Sequence, residues 1–323
     1  MNNFKKIGLT ALAGSLVATS VYAGEMSVAG SASWRISNHS GTDGGKTMAM
    51  GNQLTFTGGG EMDNGMNVAL SFILDQGDNG TSATRTAAQG LAEAPFDSHS
   101  ITVSSDAMGS ITFAGEGASS AQNTIDTTAA GDIWDNTFGF TAPTNADAGK
   151  VLTWTLPSLM DGLGVVTSYN MSAAAKEATI GYALTYTGME GLSVSYGFGE
   201  VGGNEAGTTG AEVTTMKASF AFGPITAAMS INDYDLNGSS SNEEQSSYKI
   251  SYSVSDELSV SYGSETMETT GNSTDEEFDQ ISVSYTTGGL TATVSQTNAD
   301  NVVGAVNSQT EQSKWNVGLS FAF

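Results

Sequence analysis

Cysteine is absent from the 323-residue chain, so an exported protein of this size holds together without disulfides. Proline occurs only four times against forty glycines, a balance that suits many strands and tight turns and excludes a collagen-like or disordered chain. Basic residues are scarce: ten Lys and Arg face 34 Asp and Glu, for a formal net charge of −24. Such a surface repels nucleic acid, which removes DNA or RNA as a partner. The two histidines, His39 and His99, have no neighbouring Ser or carboxylate at triad spacing and too few N or S companions for zinc. No enzyme is expected. Beyond the first 23 residues there is no long apolar run, and a spanning helix needs about 20 residues, so a helical membrane protein is excluded.

What is present begins with a secretory signal. Lys5 and Lys6 form a basic start, Ile7–Val21 is mostly apolar, and Val21-Tyr22-Ala23 supplies a small-x-small cleavage site before Gly24. Residues 1–23 are therefore expected to be removed and residues 24–323 to form one domain.

The mature chain is organised around a pattern seen most clearly in its tail. Trp315, Val317, Leu319, Phe321 and Phe323 alternate with Lys314, Asn316, Gly318, Ser320 and Ala322. One face of such a strand is apolar and the other small or polar. Similar strips recur from Met26 onward, among them Val68-Leu70-Phe72, Tyr182-Leu184-Tyr186, Met216-Ala218-Phe220 and Tyr248-Ile250-Tyr252. About sixteen can be read. Short breaks such as Met62-Asp63-Asn64-Gly65, with its Asn-Gly hairpin signal, alternate with longer polar ones at Asn38–Thr47, Gln76–Asp97, Asp233–Glu244, Glu265–Glu277 and Asn298–Glu311. Tight turns at one end and long loops at the other belong to an up-and-down barrel. The expected fold is all-β: a transmembrane antiparallel β-barrel of about 16 strands, with Tyr and Phe near strand ends as an interfacial girdle. A ring this wide is not filled by side chains, so its lumen holds water and the expected function is a channel.

The signal, the sixteen strips, the terminal Phe323 on an aromatic-apolar last strand and the long unpatterned segment Gly115–Gly149 together resemble the general porins of Gram-negative outer membranes. That resemblance implies a homotrimer, a third outer loop folded into the lumen as a constriction, and a second loop latched onto a neighbour. It makes Gly115–Gly149 the constriction loop, carrying Glu116, Asp126, Asp132 and Asp135. The stretch from Asp132 to Phe140 holds apolar residues that pin the loop against the wall, although the family's Pro-Glu-Phe-Gly-Gly tip is absent. Alternation independently places Arg35, Lys217, Lys249 and Lys314 on the polar parity of their strands, facing the lumen. Cations on the wall opposite carboxylates on the loop would set up a field across the passage. The expectation is passive diffusion of ions and small hydrophilic solutes with a weak cation preference, in contact with outer-membrane lipid and lipopolysaccharide. The alternatives are a channel selective for a sugar, phosphate or amino acid, and a structural or adhesive barrel with a closed lumen.

Three motifs need separate treatment. Gly197-Phe198-Gly199-Glu200-Val201-Gly202 matches G-x-G-x-x-G, but no helix or parallel βαβ unit follows it. Gly44-Gly45-Lys46-Thr47 ends like a phosphate loop but has Ser40 where the first glycine belongs. Asp233, Asp235, Asn237, Gly238 and Glu244 fit the spacing of a calcium loop, without flanking helices. No cofactor is required; calcium held by Asp233, Asp235, Asn237 and Glu244 in an outer loop is the one candidate.

Overall fold

The computed structural model describes residues 26–40, 45–75, 98–131, 133, 149–170, 178–202, 210–236, 242–271, 274–302 and 311–323. The expected signal and the loop at 76–97 lie outside them. Alternating residues become strands because the extended backbone sends successive side chains to opposite faces. The strands are β1 (Met26–Ser40), β2 (Gly45–Glu61), β3 (Asn67–Asp75), β4 (Ser98–Ser105), β5 (Gly109–Ala118), β6 (Gly149–Thr155), β7 (Leu163–Asn170) and β8 (Thr179–Met189). They continue as β9 (Leu192–Val201), β10 (Ala211–Phe222), β11 (Ile225–Leu236), β12 (Glu243–Ser253), β13 (Leu258–Thr269), β14 (Glu276–Thr287), β15 (Leu290–Asp300) and β16 (Gln312–Ala322).

Each strand pairs antiparallel with its neighbours in sequence, and β1 pairs with β16 to close the ring. The closing register runs from Ser31 opposite Ala322 to Ser40 opposite Ser313. Beyond it Gly30 and Phe323 exchange both backbone hydrogen bonds, at 2.7 and 2.9 Å. The closure carries parity across the seam: Trp34 stands opposite Leu319, and Arg35 opposite Gly318.

Polarity is inverted relative to a water-soluble sheet. Met216, Phe220, Tyr248, Ile250 and Ile281 are exposed, while Thr215, Ser230, Gln245, Ser247 and Glu265 on the other parity are buried. The apolar parity therefore faces outward, toward lipid, and the polar parity faces the lumen. Lys217 and Lys249 share the inward parity with Thr215 and Ser247.

Two readings of the sequence change. The polar breaks at Asn38–Thr47 and Glu265–Glu277 are mostly strand, and strand also reaches into both described ends of Asp233–Glu244 and into Asn298–Glu311 as far as Asp300: β1 and β2 still pair at His39 and Gly45, and β13 runs through Glu265 to Thr269. Side-chain alternation fades where strands leave the apolar band, but the backbone ladder continues because it depends on N–H and C=O groups alone. Second, the tyrosines do not ring the barrel. Tyr169, Tyr182, Tyr186, Tyr196, Tyr248, Tyr252, Tyr262 and Tyr285 are exposed, and all lie on β7–β14.

Glycine matters most at two places. Gly191 has φ 76°, and a Cβ there would also run into the Ala221 carbonyl of the next hairpin. At the seam, a Cβ on Gly30 would run into the Phe323 ring. Replacing Gly191 with Val is expected to destabilise the barrel by about 1–3 kcal/mol, the usual cost of a side chain forced into that backbone conformation. Urea unfolding in detergent should show a lower midpoint than the parent, and an unchanged midpoint would rule this out.

Candidate functional site

The segment after β5 crosses the inward face of the ring. Its described part, Ser119–Gly131 with Ile133, opens with a single 3-10 turn, Gln122–Thr124. The turn is held locally: the Ser120 hydroxyl accepts from the Asn123 amide at 3.1 Å, and Thr124 donates to the Ala121 carbonyl at 2.6 Å.

Inward side chains then hold the segment strand by strand. The Ala121 amide donates to Ser168 Oγ on β7 at 2.7 Å. Gln122 Nε2 donates to Thr215 Oγ1 on β10 at 2.7 Å, and Thr215 donates in turn to Asn232 Oδ1 on β11 at 2.6 Å. Ser230 Oγ donates to the Thr127 carbonyl at 2.7 Å. On β12, Ser247 Oγ accepts the amides of Ala129 and Ala130, at 2.9 and 2.8 Å, and donates to Glu265 Oε1 at 2.9 Å. Glu265 Oε2 on β13 takes the Ile133 amide at 3.0 Å.

Small residues make this approach possible. A Cβ on Gly197 would stand 3.1 Å from Ile125 Cδ1, and one on Gly263 only 2.6 Å from Ala130 Cβ. The far end is fixed by apolar contact, since Ala130 and Ile133 pack with Phe278, Ala299 and Val302 in a buried cluster.

One expected pair meets directly. Lys217 Nζ lies 2.6 Å from Asp126 Oδ2 and donates to the Thr128 carbonyl at 2.6 Å. Partial burial pushes the Asp126 carboxyl up, but hydrogen bonds from Lys217 and Thr128 and the Lys217 charge outweigh it, leaving the group below its ordinary 3.8. Lys217 and Asp126 thus neutralise one another and clamp the segment; they do not face each other across open water.

The other expected residues fall elsewhere. Arg35 is exposed on β1, Lys249 is half-buried on β12 two residues nearer the short turn than Ser247, and Lys314 is 4% exposed on β16. Glu116 lies in β5, where it is paired in register with His99; Asp132 and Asp135 lie outside the described residues. Among the described residues, no inward side chain of β2–β5 is buried, whereas the inward faces of β6–β16 contain many buried ones.

Of the candidate calcium ligands, Asp233 and Asp235 belong to β11 and Glu244 to β12, directly opposite Asp233. Asn237 lies outside the described residues, and among those described no group of three or more His, Cys, Asp or Glu is placed to hold a metal. Sequence reasoning missed Ser247, Glu265, Gln122, Thr215 and Asn232. Glu265 offered a signal, a lone carboxylate on the polar parity of β13; the hydroxyls look like any other wall residue.

Comparison with known proteins follows from this geometry. A family model described as Gram-negative porin matches residues 8–323. No curated protein sequence matches the chain. Similar solved structures include an anion-selective porin from Comamonas acidovorans, with 13% identity, TM-score 0.70, and 93% of this chain and 100% of that chain covered. Another is OmpT of Vibrio cholerae in a trimer form, with 13% identity, TM-score 0.66 and coverage of 93% and 100%. A third is Salmonella typhi OmpF in complex with daunomycin, with 13% identity, TM-score 0.66 and coverage of 93% and 98%.

Two perturbations should separate clamp from track. Because the Asp126 pKa is depressed, its contribution is present above the ordinary carboxylate value and lost as pH falls through the folded one. Current fluctuations in bilayer recordings should therefore be the same at pH 7 and pH 5 and rise only below about pH 4, and Lys217→Met should abolish that rise. Ser247→Ala strands two buried amides, at about 1–3 kcal/mol each, and should produce noisy currents at every pH. Quiet currents from Ser247→Ala would refute the track.

Proposed function

The chain belongs to the Gram-negative porin family and is an outer-membrane channel protein, not an enzyme; from that premise we propose passive diffusion of ions and small hydrophilic solutes, with a weak preference for cations. The observation that carries this reading is the closed ring whose inward face is built mainly from Ser, Thr, Gly and Ala. Such a wall offers hydrogen bonds in both directions and little fixed charge, which suits traffic by size over recognition of one solute.

The route past the inner segment runs beside β2–β5, where no described inward side chain is buried. Of the four wall cations, Lys217 is neutralised and Lys314 is buried. Arg35 and Lys249 are left to act on a passing ion. Against them stands a chain with 34 acidic residues and ten basic ones, so the mean potential favours cations.

A unit charge about 5–8 Å from an ion in water is worth ~0.5–0.8 kcal/mol. Because the charge acts with opposite sign on cation and anion, Arg35→Ala and Lys249→Ala should each raise the cation-to-anion permeability ratio about five- to fifteenfold. Reversal potentials across a salt gradient measure this; anion preference in the parent protein would end the cation reading.

A homotrimer fits the outer face. The arc of β1 and β2 carries no exposed tyrosine, and Asn52 interrupts its apolar strip between Met50 and Leu54, both exposed. A strip without exposed tyrosine and with an amide at its centre suits protein contact better than lipid. The opposite arc suits the membrane. It carries the exposed tyrosines, which suit the boundary between lipid and headgroups. Met50→Arg should convert the trimer to monomers in detergent, as read by sedimentation. A variant that still sediments as the trimer would place the contact elsewhere.

A further inference from the structure

The short turns differ from one another in a way that barrel closure does not require. We infer that the periplasmic rim beneath β2–β9 is a docking surface for a cationic amphipathic protein segment. Four consecutive turns build it: Met62-Asp63-Asn64-Gly65-Met66, Asp106-Ala107-Met108, Leu159-Met160-Asp161 and Met189-Glu190. Each sets a methionine within two residues of a carboxylate, and none contains Lys, Arg or His. Met62 is 37% exposed, Met160 56%, Met189 57% and Leu159 62%, while Asp63, Asp106, Asp161 and Glu190 are all exposed. The other short turns, at Gly223-Pro224, Val254–Glu257 and Gly288-Gly289, hold no methionine. The patch is therefore confined to one part of the rim.

Its chemistry selects the occupant. Thioethers make an adaptable apolar surface that accepts varied side chains. A carboxylate beside each one repels anionic lipid headgroups and attracts cations, so lipid is the poorer fit and a basic apolar segment the better one. The turns are also held in place. Met62 and Met66 are joined by a 2.7 Å backbone bond, Trp154 Nε1 donates to the Met108 carbonyl at 2.9 Å, and the Leu163 amide donates to the Met160 carbonyl at 3.1 Å. Neighbouring turns stand two strands apart, about 10–13 Å for strands spaced ~4.8 Å and tilted ~40°. Four turns then span roughly 35 Å, the length of about 24 helical residues.

The test uses the full chain in zwitterionic nanodiscs and a fluorescent 24-residue amphipathic helix of Leu and Lys, read by anisotropy. A Leu and Glu helix should not bind. The combined variant Met62→Ser, Leu159→Ser, Met160→Ser, Met189→Ser should weaken the Lys helix at least tenfold. The combined variant Asp63→Asn, Asp106→Asn, Asp161→Asn, Glu190→Gln should do the same. Neutralising Glu212, Asp233, Asp235 and Glu244 at the opposite rim should change nothing. Rim variants that bind within twofold of the parent, or loss of binding on neutralising the opposite rim, would overturn the inference. Conductance of the same samples is a separate readout: its absence would fault the channel reading and leave the docking result standing.

Discussion

Within hydrocarbon there is no water to take a backbone N–H or C=O, and each group left unpaired costs several kcal/mol. A sheet can meet that condition only by having no edge. Here the condition is met where β16 returns to β1, through the register from Ser31–Ala322 to Ser40–Ser313 and the extra Gly30–Phe323 pair beyond it. The antiparallel order, the even strand number and the division of every strand into an outward and an inward face all follow from that one seam. The exposed outward Ile281 and the buried inward Glu265 are both in place because the ring turns one face to lipid and the other to water.

Once the lumen is the polar side, its wall becomes the template for the segment that crosses it. An extended segment needs partners for its amides, and Ser168, Thr215, Ser230 and Ser247 provide hydroxyls that accept or donate as required. Gly197 and Gly263 let the backbone come close enough to use them. The Lys217–Asp126 pair is partly exposed, with side chains 26% and 57% accessible, and such pairs contribute at most about 1 kcal/mol. Hydroxyls and missing side chains therefore decide where the segment lies, and the ion pair trims its position. This is also why Lys217, which parity alone places on the lumen face, is engaged by the segment through Asp126.

The outer surface is as uneven as the inner one. Tyrosines stand on β7–β14, the outward carboxylates Glu200, Glu212, Asp233, Asp235, Glu244 and Glu268 crowd the loop ends of β9–β13, and exposed methionines mark the turns from β2 to β9. Tyrosine prefers a boundary between apolar and wet surroundings. Paired carboxylates such as Asp233 and Glu244 repel one another when directly opposed. Those features mark where the ring meets solvent and headgroups, and exposed tyrosine is absent from β1 and β2.

The linear chain by itself determined the class of fold. Alternation in segments such as Trp315–Phe323 is a property of one strand at a time, and sixteen such segments with alternating break lengths leave little besides an up-and-down barrel. The same parity placed Lys217 and Lys249 inward, which holds in the ring. Strand ends were not legible, because backbone pairing continues through Glu244 and Glu265 where side-chain patterning has stopped. The inner segment was least legible of all. Its path depends on which inward groups, the hydroxyls of Ser168, Thr215, Ser230 and Ser247 and the carboxylate of Glu265, come within about 3 Å of its polar atoms. The strands that carry them lie far from the segment in the chain, and only closure of the ring brings them around it.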